Sequence, residues 1–121
     1  MPSHSAVHLL GKPVLLHEEL LGWVVDLMLD AARERVLGFV VEDGSGGQRF
    51  LPFAAAQAAT DEVVVGSALM LLDDVGFYRK RGVAFRSLLG TDVDGGRLAD
   101  MRIGQGGNVV ELALDLTATA A

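Results

Sequence analysis

The sequence predicts an all-β protein, a small β-barrel followed by a partial second copy of its own first strands. Three observations predict this. Apolar residues alternate with a period of two in several runs, which is the strand period. Glycine-rich segments such as Asp43-Gly44-Ser45-Gly46-Gly47 separate the runs, and such segments favour hairpin turns. The pattern of residues 22–42, GWVVDLMLDAARERVLGFVVE, returns at residues 96–115 as GRLADMRIGQGGNVVELALD.

Residues 1–8 are polar and read as loose. Residues 9–16 (LLGKPVLL) are a short strand that starts late or lies at an edge, because Pro13 has no N–H for a ladder. His17, Glu18 and Glu19 make a turn. In residues 20–30, β-branched and aromatic side chains favour strand. Trp23, Val25, Leu27 and Leu29 share one face, expected to point inward, and Trp23 is expected in the core. Val24, Asp26, Met28 and Asp30 share the other, expected to be partly solvated or in an interface. Residues 31–34 connect, with one helical turn allowed. In residues 35–42, Leu37, Phe39 and Val41 form one face and Val36, Gly38 and Val40 the other. Gly38 leaves room for a bulky neighbour to approach closely. Residues 48–53 return as a strand ended by Pro52, residues 54–59 (AAAQAA) favour a short helical turn, and residues 63–65 form a last strand. Residues 67–74 fit strand or helix. Residues 75–87 read as a linker that carries the basic cluster.

The two copies align with small changes of offset, each in a turn. Residues 9–14 match 88–93, residues 22–27 match 96–101, and residues 35–42 match 108–115. The inward face keeps its character: Val25 with Ala99, Leu27 with Met101, Leu29 with Ile103, Leu37 with Val110, Phe39 with Leu112, Val41 with Leu114. A period this long means tandem domains rather than a solenoid. The divisions are a first repeat at 9–74, a linker at 75–87 and a partial repeat at 88–116.

In order, LLGKPV, LGWVVDLMLD, RVLGFVVED and RFLPFAAAQAATDEVVV resemble the PRC-barrel family. That family takes its name from the photosynthetic reaction centre, whose H subunit carries such a domain, and it also supplies the C-terminal domain of a ribosome-maturation factor. The markers are Gly11, Leu21-Gly22, Asp26, Phe39-Val40-Val41 and Pro52-Phe53. None of them is a catalytic motif. The resemblance implies a small barrel that serves as a non-catalytic interaction or assembly module. The second copy has no counterpart of Phe50-Leu51-Pro52-Phe53 or Val63-Val64-Val65, so it does not close a barrel alone, and open strand edges invite pairing. The half-copy packs on the first repeat within the chain, or half-copies of two chains pair about a two-fold axis. The second arrangement, a homodimer, is the expectation.

Composition narrows the function. Half the residues are hydrophobic, ample for a core and a hint of self-association. The net charge of −6 opposes general nucleic-acid binding, which needs Lys and Arg on phosphates. With no cysteine, disulfides, thiol nucleophiles and Cys-ligated zinc are excluded. The apolar runs fall short of the ~20 residues of a membrane helix. The first residues lack a basic region followed by an apolar one, so no signal peptide is expected and the location is expected to be cytoplasmic.

Candidate sites each have a structural alternative. Asp26 and Asp100 are equivalent carboxylates; they read as structural, bonding a turn or an Arg, rather than as an acid–base or metal pair. Residues 92–96 (DVDGG) lack the twelve-residue frame and terminal Glu of a calcium loop and read as a hairpin turn. His4 and His8 are four apart but carry no zinc-protease motif, and His17 is isolated. The glycines at 44–47 and 104–107 read as turns. Phe77, Tyr78, Arg79, Lys80, Arg81 and Arg86 mix basic and aromatic residues and are the expected contact patch for a partner, with Asp73 and Asp74 as the bland explanation of their charge. No catalytic residue, metal or cofactor is expected, and the protein is expected not to be an enzyme. The expected function is a protein-interaction or assembly module. The alternative is an RNA-processing-associated or small-ligand-binding protein that uses residues 77–86.

Overall fold

A computed structural model describes residues 3–59, 62–73 and 75–116. In chain order the elements are β1 (Ser3–Ser5), α1 (Ala6–Leu9), β2 (Pro13–Leu16), β3 (Glu19–Asp30), β4 (Val36–Glu42), β5 (Gln48–Pro52), β6 (Ala56–Ala58), β7 (Val63–Val65), α2 (Val75–Arg81), β8 (Gly82–Ala84), α3 (Phe85–Leu88), β9 (Asp92–Val93), β10 (Gly96–Gly104) and β11 (Val109–Asp115). Single 3-10 turns occupy Phe53–Ala55 and Ala68–Met70. Strands dominate, as the sequence predicts.

The first sheet has the order β5-β4-β3-β2-β7-β6, with β8 also paired to β3. All its pairings are antiparallel except β2 with β7. Local chemistry sets its turns. His17 and Glu18 both have positive φ, 48° and 69°, the backbone sense that matches the twist of a tight hairpin. Asp30 accepts from the N–H groups of Glu34 and Arg35 at 2.8 and 3.3 Å, which closes the β3–β4 turn. Asp43 accepts from the Ser45 hydroxyl at 2.6 Å and from the N–H groups of Ser45 and Gly47. Those donors, the hydroxyl first, hold its carboxyl below the usual carboxylate range.

The second sheet is built around β10, which pairs with β1, β9 and β11. Each repeat thereby lends its opening strand to the other. β1, which precedes the first repeat, pairs with β10 of the second through Ser3↔Gly104, His4↔Ile103 and Ser5↔Arg102. β8, which precedes the second, pairs with β3 of the first through Asp30↔Gly82, Leu29↔Val83 and Met28↔Ala84. The partners occupy equivalent places in the two copies. Arg35 bridges Asn108, its own counterpart, through Val36 N–H to Gly107 O at 2.7 Å and Val109 N–H to Glu34 O at 2.8 Å. A local two-fold therefore passes between Arg35 and Asn108. One apolar cluster spans both sheets, with Val24, Leu27, Leu29, Phe39 and Leu51 from the first and Leu98, Met101 and Ile103 from the second. The half-copy thus packs on the first repeat within the chain.

Both copies carry β-bulges at matching positions. β3 shifts register against β4 between Val24 and Asp26 and again between Met28 and Leu29. β10 shifts against β11 between Leu98 and Asp100 and between Arg102 and Ile103. Each extra residue reverses the side on which the following side chains fall. Five face assignments change at or beside the bulges. Val25 leaves the inner face for a second apolar cluster around Met28, Val40 and Phe50. Trp23 is 41% exposed rather than in the core, and Val24 takes the inner place. Leu37 leaves the inner face and Val36 joins it. In the second copy Leu98 is buried and Ala99 exposed, while Val109 packs on the core and Val110 is exposed.

Other expectations also change. Residues 3–9 are not loose; they form β1 and α1, held by β10. The expected helix at 54–59 is shorter and earlier, a 3-10 turn at Phe53–Ala55 followed by strand β6, which pairs with β7. The outer face of β3 is covered: Met28, Val40 and Phe50 form a second buried cluster with Val75 of α2. Residues 75–87 are built into the fold as α2, β8 and the start of α3.

Candidate functional site

Five of the six expected contact residues lie on α2, and the helix divides them into two sides. Positions three apart on a helix share a face. Val75 and Tyr78 face inward: Val75 is buried, and the Tyr78 ring stacks on Phe50 with centroids 3.7 Å apart and planes 7° from parallel. This anchor fixes the helix against β5 and turns Phe77, Lys80 and Arg81 to solvent. Phe77 is 43% exposed, and the Arg81 guanidinium lies over its ring, 3.8 Å from the centroid. Such a pair is an attraction of about 0.5–1 kcal/mol at an exposed site. Arg79 donates to Gln48 Oε1 at 3.0 Å. All three cations stand in the last turn of α2, the end where the helix dipole favours positive charge.

Arg86 does not join this group. It is the second residue of α3, and its Nε donates to the Val25 carbonyl at 2.5 Å, so its side chain ties α3 to β3. Of the two nearby acids, only Asp73 is described, and it is engaged with another cation. Asp73 pairs with Arg49 at 3.3 Å, and Arg49 lies 4.0 Å from Asp43; Asp74 lies outside the described residues. Sequence reasoning missed two residues that support this surface, Phe50 beneath it and Gln48 beside it, because β5 lies far from α2 in sequence and only folding joins them.

The two repeated carboxylates have matching structural roles. Asp26 Oδ1 accepts from the N–H of Leu27 at 2.8 Å and from the N–H of Arg86, in the first turn of α3, at 3.1 Å. Asp100 Oδ1 accepts from the N–H of Met101 at 2.7 Å and from the N–H of Val7, in the first turn of α1, at 2.9 Å. Each copy's carboxylate therefore caps the short helix that opens the other copy. Ser5 adds a hydroxyl donor to Asp100 Oδ2 and accepts from His8 N–H. At the place of Ser5 the second copy has Ala84, which caps nothing with its side chain. An N-cap needs an acceptor for free helix N–H groups, and that need accounts for an Asp at both positions. Apart from the Ser5 hydroxyl on Asp100, the hydrogen bonds described for the two carboxylates come from backbone N–H groups. A sequence signal existed: the offset that matches residues 9–14 to 88–93, carried back, pairs Ser3–Ser5 with Gly82–Ala84.

His4 lies on β1 and His8 on α1, so they do not share a helix face. Among the described residues no three His, Cys, Asp or Glu side chains converge as a metal would need. A surface depression of about 630 Å³ lies between the 3-10 turn with β6 and the β10–β11 turn, lined by Phe53, Ala56, Ala58 and Val64 with His4 and Gln57. Asp94 and Gly95 have positive φ and make the β9–β10 hairpin. Gly107, at φ +91°, lies where a Cβ would stand 3.0 Å from the Phe53 ring. No described helix is long and apolar enough to cross a membrane.

A search of curated proteins returns no match to this chain. The family model of the PRC-barrel domain matches residues 1–74, from β1 through the connection before α2. That span holds the curled sheet and all the markers quoted from the sequence, so the chain belongs to the PRC-barrel domain family.

Proposed function

We propose that this protein is a non-catalytic assembly module of the cytoplasm. It works as a homodimer and holds a second protein on the exposed side of α2. The observation that carries this reading is the α2 surface itself. Arg79, Lys80 and Arg81 concentrate positive charge in a chain of net charge −6. Phe77 supplies an exposed ring beside them, and the Tyr78–Phe50 stack holds the helix in place. An aromatic residue flanked by arginines on a rigid support has the composition of an interface anchor. The fitting partner is a protein surface that offers carboxylates around an apolar contact.

The test is capture from a lysate of the native host, with the wild-type chain and an Arg79→Ala/Lys80→Ala/Arg81→Ala variant as baits. The wild type is expected to retain a specific protein that the variant loses, while both baits keep the same oligomeric mass. Recovery of RNA instead, released as salt rises and lost in the variant, would replace this reading with the RNA-associated one.

A further inference from the structure

We propose that the face where β1 and α1 cross β10 is a binding site for a small phosphate monoester with an apolar or aromatic body. This site is separate from the α2 surface and does not depend on it.

The local two-fold supplies a control for this face. Ser5 pairs with Arg102 in the second sheet where Ala84 pairs with Met28 in the first, so the two crossings are one construction with different side chains. In the first sheet the crossing is made by Gly82, Val83 and Ala84 against Met28, with Ser87 at the place of His8. It is apolar and covered: Met28 is buried, and Ala84 packs with it and with Val75 of α2. In the second sheet the same places hold Ser3, His4, Ser5, His8 and Arg102, and His8 and Arg102 are exposed. Strand pairing therefore requires neither the Arg nor the imidazoles, and their presence needs another reason.

These polar side chains converge. All five line one depression of about 360 Å³, and no carboxylate lines it, in a chain with sixteen Asp and Glu. Arg102 donates from Nε to Ser3 Oγ at 3.2 Å and from Nη2 to the Ser3 carbonyl at 3.4 Å. These bonds orient the guanidinium and leave its other N–H groups without a partner among the described residues. The Ser3 hydroxyl accepts from Arg102 and keeps its own proton to donate. Neither imidazole is hydrogen-bonded among the described residues. Two acids lie near. Asp100 is engaged by the Ser5 hydroxyl and two backbone N–H groups. Glu111 stands opposite Arg102 in register, yet among the described residues the ion pairs are those of Arg49. A guanidinium fork beside hydroxyl and imidazole donors matches the oxygens of a phosphate. A bare phosphate would not fill the space, and the rest of the ligand follows from what adjoins it. His4 and Ala59 also line the 630 Å³ depression, so the two share a wall. That neighbour is apolar, with Phe53, Ala56 and Val64, and again has no carboxylate in its lining. A phosphate at Arg102 and an apolar body against Phe53, with His4 at the junction, use both halves. An apolar wall with a few convergent polar groups is the usual make-up of a small-molecule site.

The test follows the backbone amide signals of the full chain by two-dimensional NMR as phenyl phosphate, inorganic phosphate or phenol is added. Phenyl phosphate is expected to shift the signals of Ser3, His4, His8 and Arg102 together with those of Phe53 and Ala56, with millimolar affinity or tighter. Inorganic phosphate is expected to move only the first set and phenol only the second, each binding about threefold or more weakly than phenyl phosphate. Arg102→Met, which copies the residue of the first repeat, is expected to weaken phenyl phosphate about tenfold or more. A His4→Val/His8→Ser variant keeps the bonds between Arg102 and Ser3 and is expected to weaken it about threefold or more. Arg97→Met, which removes a charge elsewhere on β10, is expected to change nothing. Circular dichroism checks the folding of each variant. No shift at millimolar phenyl phosphate, or shifts that Arg102→Met and the double His variant leave unchanged, would overturn the site. Equal weakening by Arg97→Met would reduce the effect to net charge and overturn it as well. Sedimentation with vesicles containing phosphatidic acid, without a response to phenyl phosphate, would replace the soluble ligand with a lipid headgroup.

Discussion

Asp26 and Asp100 show what a repeated residue can mean. Each accepts two backbone N–H groups, one from its own strand and one from the first turn of the other copy's helix. Truncating such an acceptor leaves the donors without a partner, a cost of about 1–3 kcal/mol where the site is buried. Asp26 is 7% exposed and Asp100 half-buried, so the costs should differ. Asp26→Ala is expected to lower stability by about 2 kcal/mol and Asp100→Ala by about 1 kcal/mol. Asp26→Asn, whose amide oxygen still accepts, is expected to lose less than the alanine. Urea denaturation midpoints check this. A functional carboxylate would behave in the opposite way, with stability unchanged or raised on its removal.

At the scale of the element, strands and turns were legible and faces were not. The strand positions of β2, β3, β4 and β5 follow from alternation, from β-branched content and from the Asp-Gly and Pro signals. Inward and outward assignments fail beside the bulges, because one added residue exchanges the two sides and leaves no mark in the local sequence, while Leu27, Leu29, Phe39 and Val41 face inward as expected. Trp23 and Leu37 are the clearest cases, and the same bulges misplace Ala99 and Val110. Of the site, the basic-aromatic residues were legible as a cluster. Their support, Phe50 beneath Tyr78 and Gln48 beside Arg79, depends on folding across distant segments and was not. Gly38 was legible as a close approach, and its cost can be measured. A Cβ there would meet Leu51 O at 2.3 Å and Phe50 Cζ at 2.5 Å, so β5 must move. Gly38→Ala is expected to destabilise by about 3 kcal/mol. Gly44→Ala, in a turn with nothing within 4 Å of the added Cβ, is expected to stay within about 0.5 kcal/mol of wild type.

At the scale of the molecule, two repeats of unequal length make one fold by exchange. β1 and α1 belong to the second sheet, β8 and α3 to the first, and the Arg35–Asn108 bridge lies on the local two-fold between them. A single apolar cluster receives residues from both copies. Neither repeat keeps its opening strand to itself, so neither has a complete sheet without the other. The exchange fills the interior of the pair and leaves β11 as the outermost described strand of the half-copy's sheet. Two probes report different parts of this unit. Trp23, the only tryptophan, belongs to the first copy, whereas far-UV circular dichroism reports strands of both. The most direct measurement is urea unfolding of the wild type and of Asp100→Ala, followed by both signals on the same samples. The two curves are expected to coincide in each protein and to shift together in the variant, as one cooperative unit requires. Loss of part of the dichroism signal at lower urea than the Trp23 transition would mean that β10 and β11 unfold on their own, and would contradict a fold held together by exchanged segments.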